Sequence, residues 1–432
     1  MLELELGRAM MSSSLMEITV LGQDSGLLWG SLWTLIGDPW VELAVILLVS
    51  LVAMSDFYRR FQASIRSAPR LAALEAFPDE LPTVSVIIPA YNEAVNIEAC
   101  MQAVLDNQLP ETAQMQLIVA DDESKDETRP LAEAVANENE RATVISVPPR
   151  PTDITWRGKN WACNCAVESA TGEYLLFIDA DVRLAEDAIA RALAEAETHN
   201  SGLLSCAPAI VCGCFSEWIV QPIMANLIAI GFDFQGVNDM DKPDIALAAG
   251  PFMLFNREAY DKIGGHAAVA TNPVEDLALA ALIKQGGLSL RYVLGLKAST
   301  VRMYRSFGDL WEGWTKNYHL GSGRNIALTL VSALAVWLIF VMPWLGLAVS
   351  IFATFAKAVT GNLAVALLVI SAVAVSLQIA LRQTSARVIG LPVRYLWLGW
   401  LGGGIVSAIA ITSIIKIETG WGWTWRGRSL AD

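Results

Sequence analysis

A long segment near the C-terminus of this chain carries no acidic side chain. No Asp or Glu occurs between Asn325 and Lys416, and most of the residues there are apolar. A helix needs about 20 mostly apolar residues to cross the hydrocarbon core of a bilayer. The segment is long enough for several such helices, which excludes a fold made of one water-soluble domain.

Four apolar runs are candidates for membrane-spanning helices. The first lies at about 40–56 within an N-terminal region of residues 1–82, and about three more lie within residues 325–417. The run from Ile326 to Phe355 is long for one span and contains Pro343, so we expect a tilt, a kink or an additional partial helix. The last two runs extend from Leu363 to Leu381 and from Tyr395 to Ile415.

The net charge of the chain is concentrated in its middle. Residues 83–324 contain 18 Lys or Arg and 32 Asp or Glu, which accounts for the whole net charge of −14, and the flanking residues are balanced. The chain therefore combines an acidic, solvated module with apolar flanks. Nucleic-acid binding requires a basic surface, so we expect no nucleic-acid partner.

Basic residues indicate how a chain is oriented in a membrane, since Lys and Arg are enriched on the cytoplasmic side. Four arginines lie between residues 59 and 70, and three lie between residues 382 and 394. Both groups predict that the module at 57–325 is cytoplasmic. Together with the apolar runs, this describes a multi-pass protein of a bacterial plasma membrane or its equivalent. The tail, residues 418–432, disagrees, because this orientation places Arg426 and Arg428 outside.

The N-terminus resembles no cleavable signal peptide. It carries Glu3 and Glu5 and lacks a basic region ahead of its apolar residues. We therefore expect the N-terminal region to be retained as an anchor.

Short β-branched runs alternate with helical patterns between residues 83 and 198. Strands joined by helices form a mainly parallel sheet covered on both faces, so we predict an α/β fold. Pro89 is expected to end the first strand, and a helix is expected from Asn92 to Leu105. The predicted strands are Thr83–Ile88, Gln116–Ala120, Thr143–Val147 and Tyr174–Ile178.

Polar residues follow three of these strands, at the points where the strands end. Ligands of parallel sheets bind in the crevice beyond the carboxyl ends of the strands. A lone pair of this kind is usually a turn or a helix cap, but we expect all three pairs to face the same crevice. The pairs are Asn92 with Glu93, Asp121 with Asp122, and Asp179 with Asp181.

Crowded carboxylates repel one another unless a cation or protons neutralise them. The Asp179-Ala-Asp181 loop can hold Mg²⁺ or Mn²⁺, which takes substrate phosphate oxygens as further ligands. The sequence has no glycine-rich phosphate loop of the P-loop or dinucleotide-binding type. Lys159 and Arg157 are therefore the nearest candidates for contacts to phosphate.

Five motifs, in order along the chain, resemble those of the family 2 glycosyltransferases. The resemblance covers roughly residues 83–317, and Glu123 stands where the family usually has Gly. Five ordered motifs make the resemblance specific, where any one of them is weak. The motifs are Val84–Glu93, Asp121–Asp126, Gly158–Asn160, Asp179–Asp181 and Glu275–Asp276.

The resemblance implies a fold of the GT-A type, Rossmann-like with a mainly parallel sheet, in a cytoplasmic catalytic domain at 83–300. It implies inverting transfer from a nucleotide-diphosphate sugar, a UDP- or GDP-sugar, with Mg²⁺ or Mn²⁺ as cofactor. Asp276 would be the general base, with Glu275 as the fallback, although Asp276 could instead complement the dipole of a helix that starts there. Donor contacts would come from Pro89, Tyr91, Glu93, Asp122, Lys159 and Asp179, and the metal would lie at Asp179 and Asp181, with Asp181 its direct ligand.

Two features bear on the acceptor. Apolar residues at helical spacing within 301–324 predict an amphipathic helix in the bilayer interface. Processive synthases of the family carry Gln-x-x-Arg-Trp near here, whereas this chain has Glu312-Gly-Trp-Thr-Lys316, which favours transfer of a single sugar.

The later motifs look most like those of enzymes associated with hopanoid or carotenoid glycosylation, so we expect a membrane lipid hydroxyl as acceptor. A carotenoid, a hopanoid or another lipid would serve. The alternatives are a processive polysaccharide synthase and a non-catalytic, nucleotide-binding membrane scaffold.

Overall fold

The computed structural model describes residues 37–78, 80–110, 113–152 and 155–430. Residues 1–36 of the predicted N-terminal region lie outside the described residues. The described residues divide into two compact units, one formed by residues 37–55 and 337–378 and the other by the described residues within 56–336 and 379–430. The second unit contains the predicted catalytic module.

A seven-stranded sheet forms the centre of the module, in the order β3-β2-β1-β4-β8-β6-β9. Among these strands only β8 runs antiparallel to its neighbours, so the prediction of an α/β fold with a mainly parallel sheet is confirmed. A smaller sheet has the order β5-β10-β7. The strands are β1 (Val84–Ala90), β2 (Met115–Asp121), β3 (Ala142–Ser146), β4 (Tyr174–Ile178), β5 (Val182–Leu184), β6 (Leu203–Ala207), β7 (Ala209–Ile210), β8 (Phe252–Asn256), β9 (Leu290–Leu294) and β10 (Ser299–Val301).

Helices connect the strands of the module and form the apolar flanks. In the part of the chain that the structure describes, they are accompanied by two short 3₁₀ segments, Gly265–Val269 and Leu396–Leu398, and one π-helical turn, Trp337–Val341. The helices are α1 (Pro39–Ser67), α2 (Ile97–Leu105), α3 (Thr128–Asn137), α4 (Gly158–Val167), α5 (Ala188–Thr198), α6 (Phe215–Gly231), α7 (Phe234–Val237), α8 (Arg257–Lys262), α9 (Glu275–Gln285), α10 (Phe307–Gly321), α11 (Ile326–Val336), α12 (Met342–Phe355), α13 (Gly361–Ile389) and α14 (Gly399–Thr419).

The segment between β1 and α2 differs from the prediction. The strand continues through Pro89 to Ala90 because β2 still pairs with it there. The ladder between β1 and β4, on the other side, stops at Ile87. The helix begins at Ile97 and not at Asn92, since Asn92 adopts a left-handed conformation with φ 53°. These residues thus form a turn that brings Tyr91 and Glu93 to the end of the sheet.

The core of the module is built from the apolar residues of the strands and one face of each covering helix. Ile97, Met101 and Val104 of α2 are fully buried, as their spacing of three to four residues predicts. Burying one such side chain contributes about 1.5–3 kcal/mol to stability. The packed helices hold the strand ends, and therefore the crevice beyond them, in fixed positions.

Among the described residues, four helices are long and apolar enough to cross a membrane: Pro39–Ser67, Ile326–Phe355, Gly361–Ile389 and Leu396–Thr419. The run at Ile326–Phe355 is helical throughout, with its π-helical turn directly before Pro343. Proline cannot donate the usual main-chain hydrogen bond, and a local change of helical pitch is a common way to accommodate it. The irregularity expected at Pro343 therefore takes the form of a π-helical turn.

Helix α14 packs closely against the module. A Cβ atom on Gly402 would lie 2.2 Å from the carbonyl oxygen of Ile219, so the glycine permits the backbones of α14 and α6 to approach each other. Near its other end, Ser413 donates a hydrogen bond to the carbonyl oxygen of Thr315 and accepts one from the main-chain N–H of His319. Helix α14 thus contacts α6 and α10 of the module.

Helix α10 lies within the region 301–324, which we predict to be interfacial. Leu310 is fully buried, and the indole N–H of Trp314 donates to the side-chain oxygen of Gln221 at 2.7 Å. Phe307, at the start of the helix, is exposed. The apolar stripe of α10 therefore serves packing within the module, and its position at a bilayer surface stays a prediction.

Candidate active site

A pocket opens beyond the carboxyl ends of β1, β2 and β4. Parallel pairing aligns these ends, with Ala90 of β1 opposite Asp121 of β2. All nine donor, metal and catalytic residues predicted from the sequence line this one pocket. They are Pro89, Tyr91, Glu93, Asp122, Lys159, Asp179, Asp181, Glu275 and Asp276.

Lys159, in the first turn of α4, joins two of the acidic motifs. Its ammonium lies 2.7 Å from Asp179 Oδ1 and 2.6 Å from Glu275 Oε1. Burial would lower the pKa of Lys159, but the two carboxylates hold it well above its ordinary value. Burial would likewise raise the pKa of Glu275, and the ammonium of Lys159 outweighs this and lowers it. Both groups are therefore charged, and they form a fixed ion-paired cluster.

Asp276 follows Glu275 in the first turn of α9 but has a different environment. Its Oδ2 accepts a hydrogen bond from the main-chain N–H of Gly250 at 3.0 Å, and its Oδ1 accepts one from Leu277 at 2.8 Å. Burial, and then the negative charge of Glu275, raise the pKa of Asp276 to about 6. A carboxylate with a raised pKa at the wall of a pocket is the kind of group that enzymes use to accept a proton.

Asp181 is the carboxylate of the pocket with an unsatisfied atom. Its Oδ1 is buried and has no hydrogen-bond partner among the described residues. Burial, followed by the charges of Asp179 and Glu93, raises the pKa of Asp181 to about 8. A buried, unpartnered carboxylate oxygen in a crowded acidic site fits a divalent cation.

Within the described residues, no group of three or more His, Cys, Asp or Glu side chains has the arrangement of a protein-only metal site. Mg²⁺ and Mn²⁺ are commonly held by one or two carboxylates, with phosphate oxygens and waters completing the shell. Asp181 with Asp179 matches that simpler kind of site.

The C-terminal tail supplies four residues of the pocket that the sequence did not assign to it: Trp425, Arg426, Arg428 and Leu430. Arg426 forms an ion pair with Glu93 and donates to the carbonyl oxygen of Tyr91 at 2.9 Å. Arg428 forms an ion pair with Asp122 and lies 3.4 Å from the centroid of the Tyr91 ring. The sequence held one signal for these two arginines, because the predicted orientation placed them on the side of the membrane opposite to the module. In the structure, the tail instead contacts the module.

Lys316 of α10 also lines the pocket. Its ammonium lies 4.8 Å from the ring centroid of Trp425 in the tail, and burial lowers its pKa. Glu312, one turn earlier, accepts hydrogen bonds from the Thr424 hydroxyl and from the main-chain N–H of Arg426. Two of the three residues that distinguish this chain from the Gln-x-x-Arg-Trp pattern, Glu312 and Lys316, thus contact the tail.

Arg157, a candidate for a phosphate contact, and His266 lie outside the residues that line the pocket. His266 is fully buried and its Nδ1 is 2.8 Å from the hydroxyl of Tyr260, and burial lowers its pKa to about 3. It is therefore a neutral core residue. Arg157 donates to the carbonyl oxygens of Thr271 and Leu430, so it secures the tail.

Comparison with known proteins identifies the domain that carries this pocket. Residues 85–264 match the family model described as glycosyl transferase family 2. These residues form a family 2 glycosyltransferase domain. The match includes β1, β2 and β4, whose ends bear the donor and metal candidates, and this family membership supports the expected GT-A type of fold.

Curated relatives extend the similarity beyond this family 2 domain. The chain is 30% identical over 258 residues to the 4,4'-diaponeurosporenoate glycosyltransferase of Staphylococcus aureus strain USA300. The alignment covers 59% of this chain and 65% of that relative. The same enzyme of strain MRSA252 also matches, at 30% identity and with the same coverage.

Solved structures show more distant similarity. A mannosyltransferase from Pyrobaculum calidifontis, solved with GDP-Man and Mn²⁺, has a TM-score of 0.48 and 20% identity, with 88% of this chain and 99% of that chain covered. Glucosyl-3-phosphoglycerate synthase from Mycobacterium tuberculosis, solved with Mn²⁺, UDP and glucosyl-3-phosphoglycerate, has a TM-score of 0.32 and 21% identity over 53% of this chain and 75% of that chain. Substrates differ widely among proteins that share a fold, so function has to be argued from the pocket itself.

Proposed function

We propose that the protein is an inverting glycosyltransferase that moves one sugar from a nucleotide-diphosphate sugar to a hydroxyl group of a membrane lipid. The observation that carries the proposal is the convergence of all nine predicted site residues on one pocket. They come from separate strands and helices of the family 2 domain and from α9, beyond the matched range. Convergence of this kind is not required for folding.

In the proposed complex the nucleoside lies at Tyr91, Glu93 and Asp122. An aromatic ring offers a stacking surface, and a carboxylate accepts hydrogen bonds from the N–H groups of a base, whether uracil or guanine. The diphosphate would then lie near Lys159 and Asp179. Asp181 with Asp179 would hold Mg²⁺ or Mn²⁺, which offsets the negative charge of the leaving diphosphate.

Asp276 is the proposed general base. Its carboxylate takes the proton of the acceptor hydroxyl as the acceptor oxygen bonds to the anomeric carbon. The bond from that carbon to the diphosphate oxygen breaks, and the nucleoside diphosphate leaves from the opposite face, so the configuration inverts. Glu275 is held in an ion pair with Lys159, which favours Asp276 over Glu275 as the general base.

A lipid acceptor is supported by the apolar flanks and by the curated relative, whose name gives a diaponeurosporenoate as the molecule it glycosylates. Transfer of a single sugar is supported by Glu312 and Lys316, which stand where processive synthases carry Gln and Trp and which here contact the tail. A carotenoid, a hopanoid or another lipid alcohol remains the proposed acceptor class.

We also propose that the module faces the cytoplasm and that α14 does not cross the membrane. Gly402 near the start of α14 touches Ile219, and Arg428 beyond its end reaches Asp122, so the module lies at both ends of this helix. Arg426 and Arg428 then share the cytoplasmic side with the other arginine groups, as the positive-inside rule requires. A C-terminal tag that is accessible only from the outer face of intact cells would overturn this topology.

The function is tested by transfer assays with the purified protein in lipid nanodiscs. UDP- and GDP-sugars are supplied with Mn²⁺ and a total lipid extract, and the products are separated and identified by mass spectrometry. Wild type should form a glycolipid carrying one sugar, whereas Asp181→Ala and Asp276→Asn should not. Glu258→Gln is the matched control, because Glu258 lies in the first turn of α8, is exposed and lies outside the pocket lining.

Three results would contradict the proposal in different ways. Full activity of both pocket variants would refute the assigned chemistry. A long polysaccharide product would favour a processive synthase. Nucleotide binding without turnover on any lipid would favour a scaffold. Lipid analysis of a strain that lacks the protein would identify both the acceptor and the sugar through the missing glycolipid.

A further inference from the structure

The C-terminal tail forms a small, well-defined hairpin over the donor pocket. Thr424–Trp425 pairs with Arg428–Ser429 in antiparallel fashion, and Arg426 and Gly427 form the two-residue connection. Both connecting residues have positive φ, 48° and 77°, as tight hairpins with right-handed strand twist require. This turn places the side chains of Arg426 and Arg428 against the pocket wall.

Several contacts from different elements hold the hairpin in place. Glu312 of α10 accepts hydrogen bonds from the Thr424 hydroxyl and the Arg426 N–H. Arg157, beside α4, donates to the carbonyl oxygen of Leu430 at 3.0 Å. The hairpin is therefore docked at both of its strands.

Arg428 makes the contacts that the proposed donor complex assigns to a nucleoside. Its planar guanidinium lies over the Tyr91 ring and donates both to the carboxylate and, at 2.9 Å, to the main-chain carbonyl oxygen of Asp122. A nucleobase would use the same ring for stacking and the same carboxylate for its N–H groups. A flat group that bears N–H donors is chemically similar to the edge of uracil or guanine.

The space around Asp122 Oδ2 is already tightly packed while Arg428 is bound there. A Cβ atom on Gly158 would already lie 2.7 Å from Asp122 Oδ2 and 3.0 Å from Arg428 Nη1. Asp122 itself is almost completely buried, and Arg150 also donates to its Oδ2 at 2.7 Å. A base that binds to Asp122 must displace the guanidinium of Arg428.

We propose that the C-terminal hairpin is an internal ligand of the donor pocket, in which Arg428 occupies the nucleoside position on Tyr91 and Asp122 and withdraws when the donor binds. This inference rests on the proposed function, which places the nucleoside at those residues. The docked hairpin lowers the apparent affinity for the donor in proportion to the fraction of molecules in which it is closed. A segment removed from the reacting carboxylates thereby controls access to them.

The test measures binding of UDP and of GDP to the full-length protein in nanodiscs with Mn²⁺. Arg428→Gln removes the charge and the planar fork, and its dissociation constant should be about tenfold lower than that of wild type if one molecule in about ten is open. Arg428→Lys keeps the charge and should lie between the two. Arg59→Gln is the matched control, because the side chain of Arg59 is 71% exposed and pairs with Asp56.

An unchanged or higher dissociation constant for Arg428→Gln, with wild type still binding, would overturn the internal-ligand proposal and leave the donor pocket intact. Failure of wild type and of every variant to bind either nucleotide would overturn the proposed function and this inference with it. Hydrogen exchange of residues 423–430 provides a second readout in the wild-type protein. Saturating UDP or GDP should speed that exchange, and slower exchange would show that the hairpin closes over the nucleotide, contrary to the proposal.

Discussion

Replacing Asp276 tests the proposed base through the pH dependence of the reaction. Burial and the charge of Glu275 raise the pKa of Asp276 to about 6. A base acts in its deprotonated form, so activity is fully present above this value and falls as the pH drops through it. Each further unit of pH below about 6 should lower the rate about tenfold.

The magnitude of the loss distinguishes a base from a structural acid. Asp276→Asn should lower the turnover rate by about 10²–10⁴-fold at neutral pH and abolish the acid limb of the profile. Glu275→Gln removes a negative charge beside Asp276, so the pKa of Asp276 should fall and the acid limb of that variant should move to lower pH. Its overall rate should also fall, because Lys159 loses one of its two partners.

The assay follows glycolipid formation between about pH 5 and pH 8 at saturating donor, with melting temperatures recorded for each variant. Glu258→Gln is the control, because it also removes an acidic side chain from the first turn of a helix. Glu258 lies in the first turn of α8, and Asp276 lies in the first turn of α9. An Asp276→Asn variant that retains the wild-type rate and the same acid limb would refute the assignment. Equal losses in Asp276→Asn and Glu258→Gln would indicate a helix-dipole role instead.

Three other substitutions have expected outcomes that follow from single contacts. Gly158→Ala places a Cβ atom 2.7 Å from Asp122 Oδ2, so steady-state kinetics should show a higher KM for the donor at an unchanged melting temperature. Gly172→Ala brings a Cβ atom to 2.4 Å from the main-chain nitrogen of Ser85, and chemical denaturation should show a loss of about 1–3 kcal/mol, which an unchanged midpoint would contradict. Lys284→Met leaves four main-chain carbonyl oxygens between residues 236 and 245 without their shared donor, and thermal unfolding should occur at a lower temperature.

The sheet and the acidic side of the pocket were predictable because both depend on local patterns. A buried run such as Tyr174–Ile178 is recognisable from its own residues, and the residues after it inherit their position from the strand end. Parallel pairing then aligns the ends without further information. The strand pattern and the acidic residues that follow each strand were therefore enough to predict that Asp122, Asp179 and Asp181 lie around one crevice.

Features that depend on distant or non-local contacts were not predictable in the same way. Strand β8, Phe252–Asn256, enters the sheet antiparallel between β4 and β6, and an apolar run by itself does not indicate the direction in which a strand will pair. Arg428 meets Asp122 across 306 positions of sequence. No periodicity links such partners, and only the folded chain shows that the tail returns to the pocket.

The charges of the pocket explain why a tail with two arginines would be placed there. The acidic strand ends need cations whenever the pocket holds no donor, and the chain supplies Lys159, Arg426 and Arg428 as partners. A buried oxygen of Asp181 has no partner in the part of the chain that the structure describes. A donor bound as we propose would bring a base for Asp122 and an anionic diphosphate that needs positive charge. Binding would thus remove the need for Arg428 at Asp122 and create a need for a cation at Asp181. Release of the hairpin and uptake of the metal are therefore expected to accompany the same binding event.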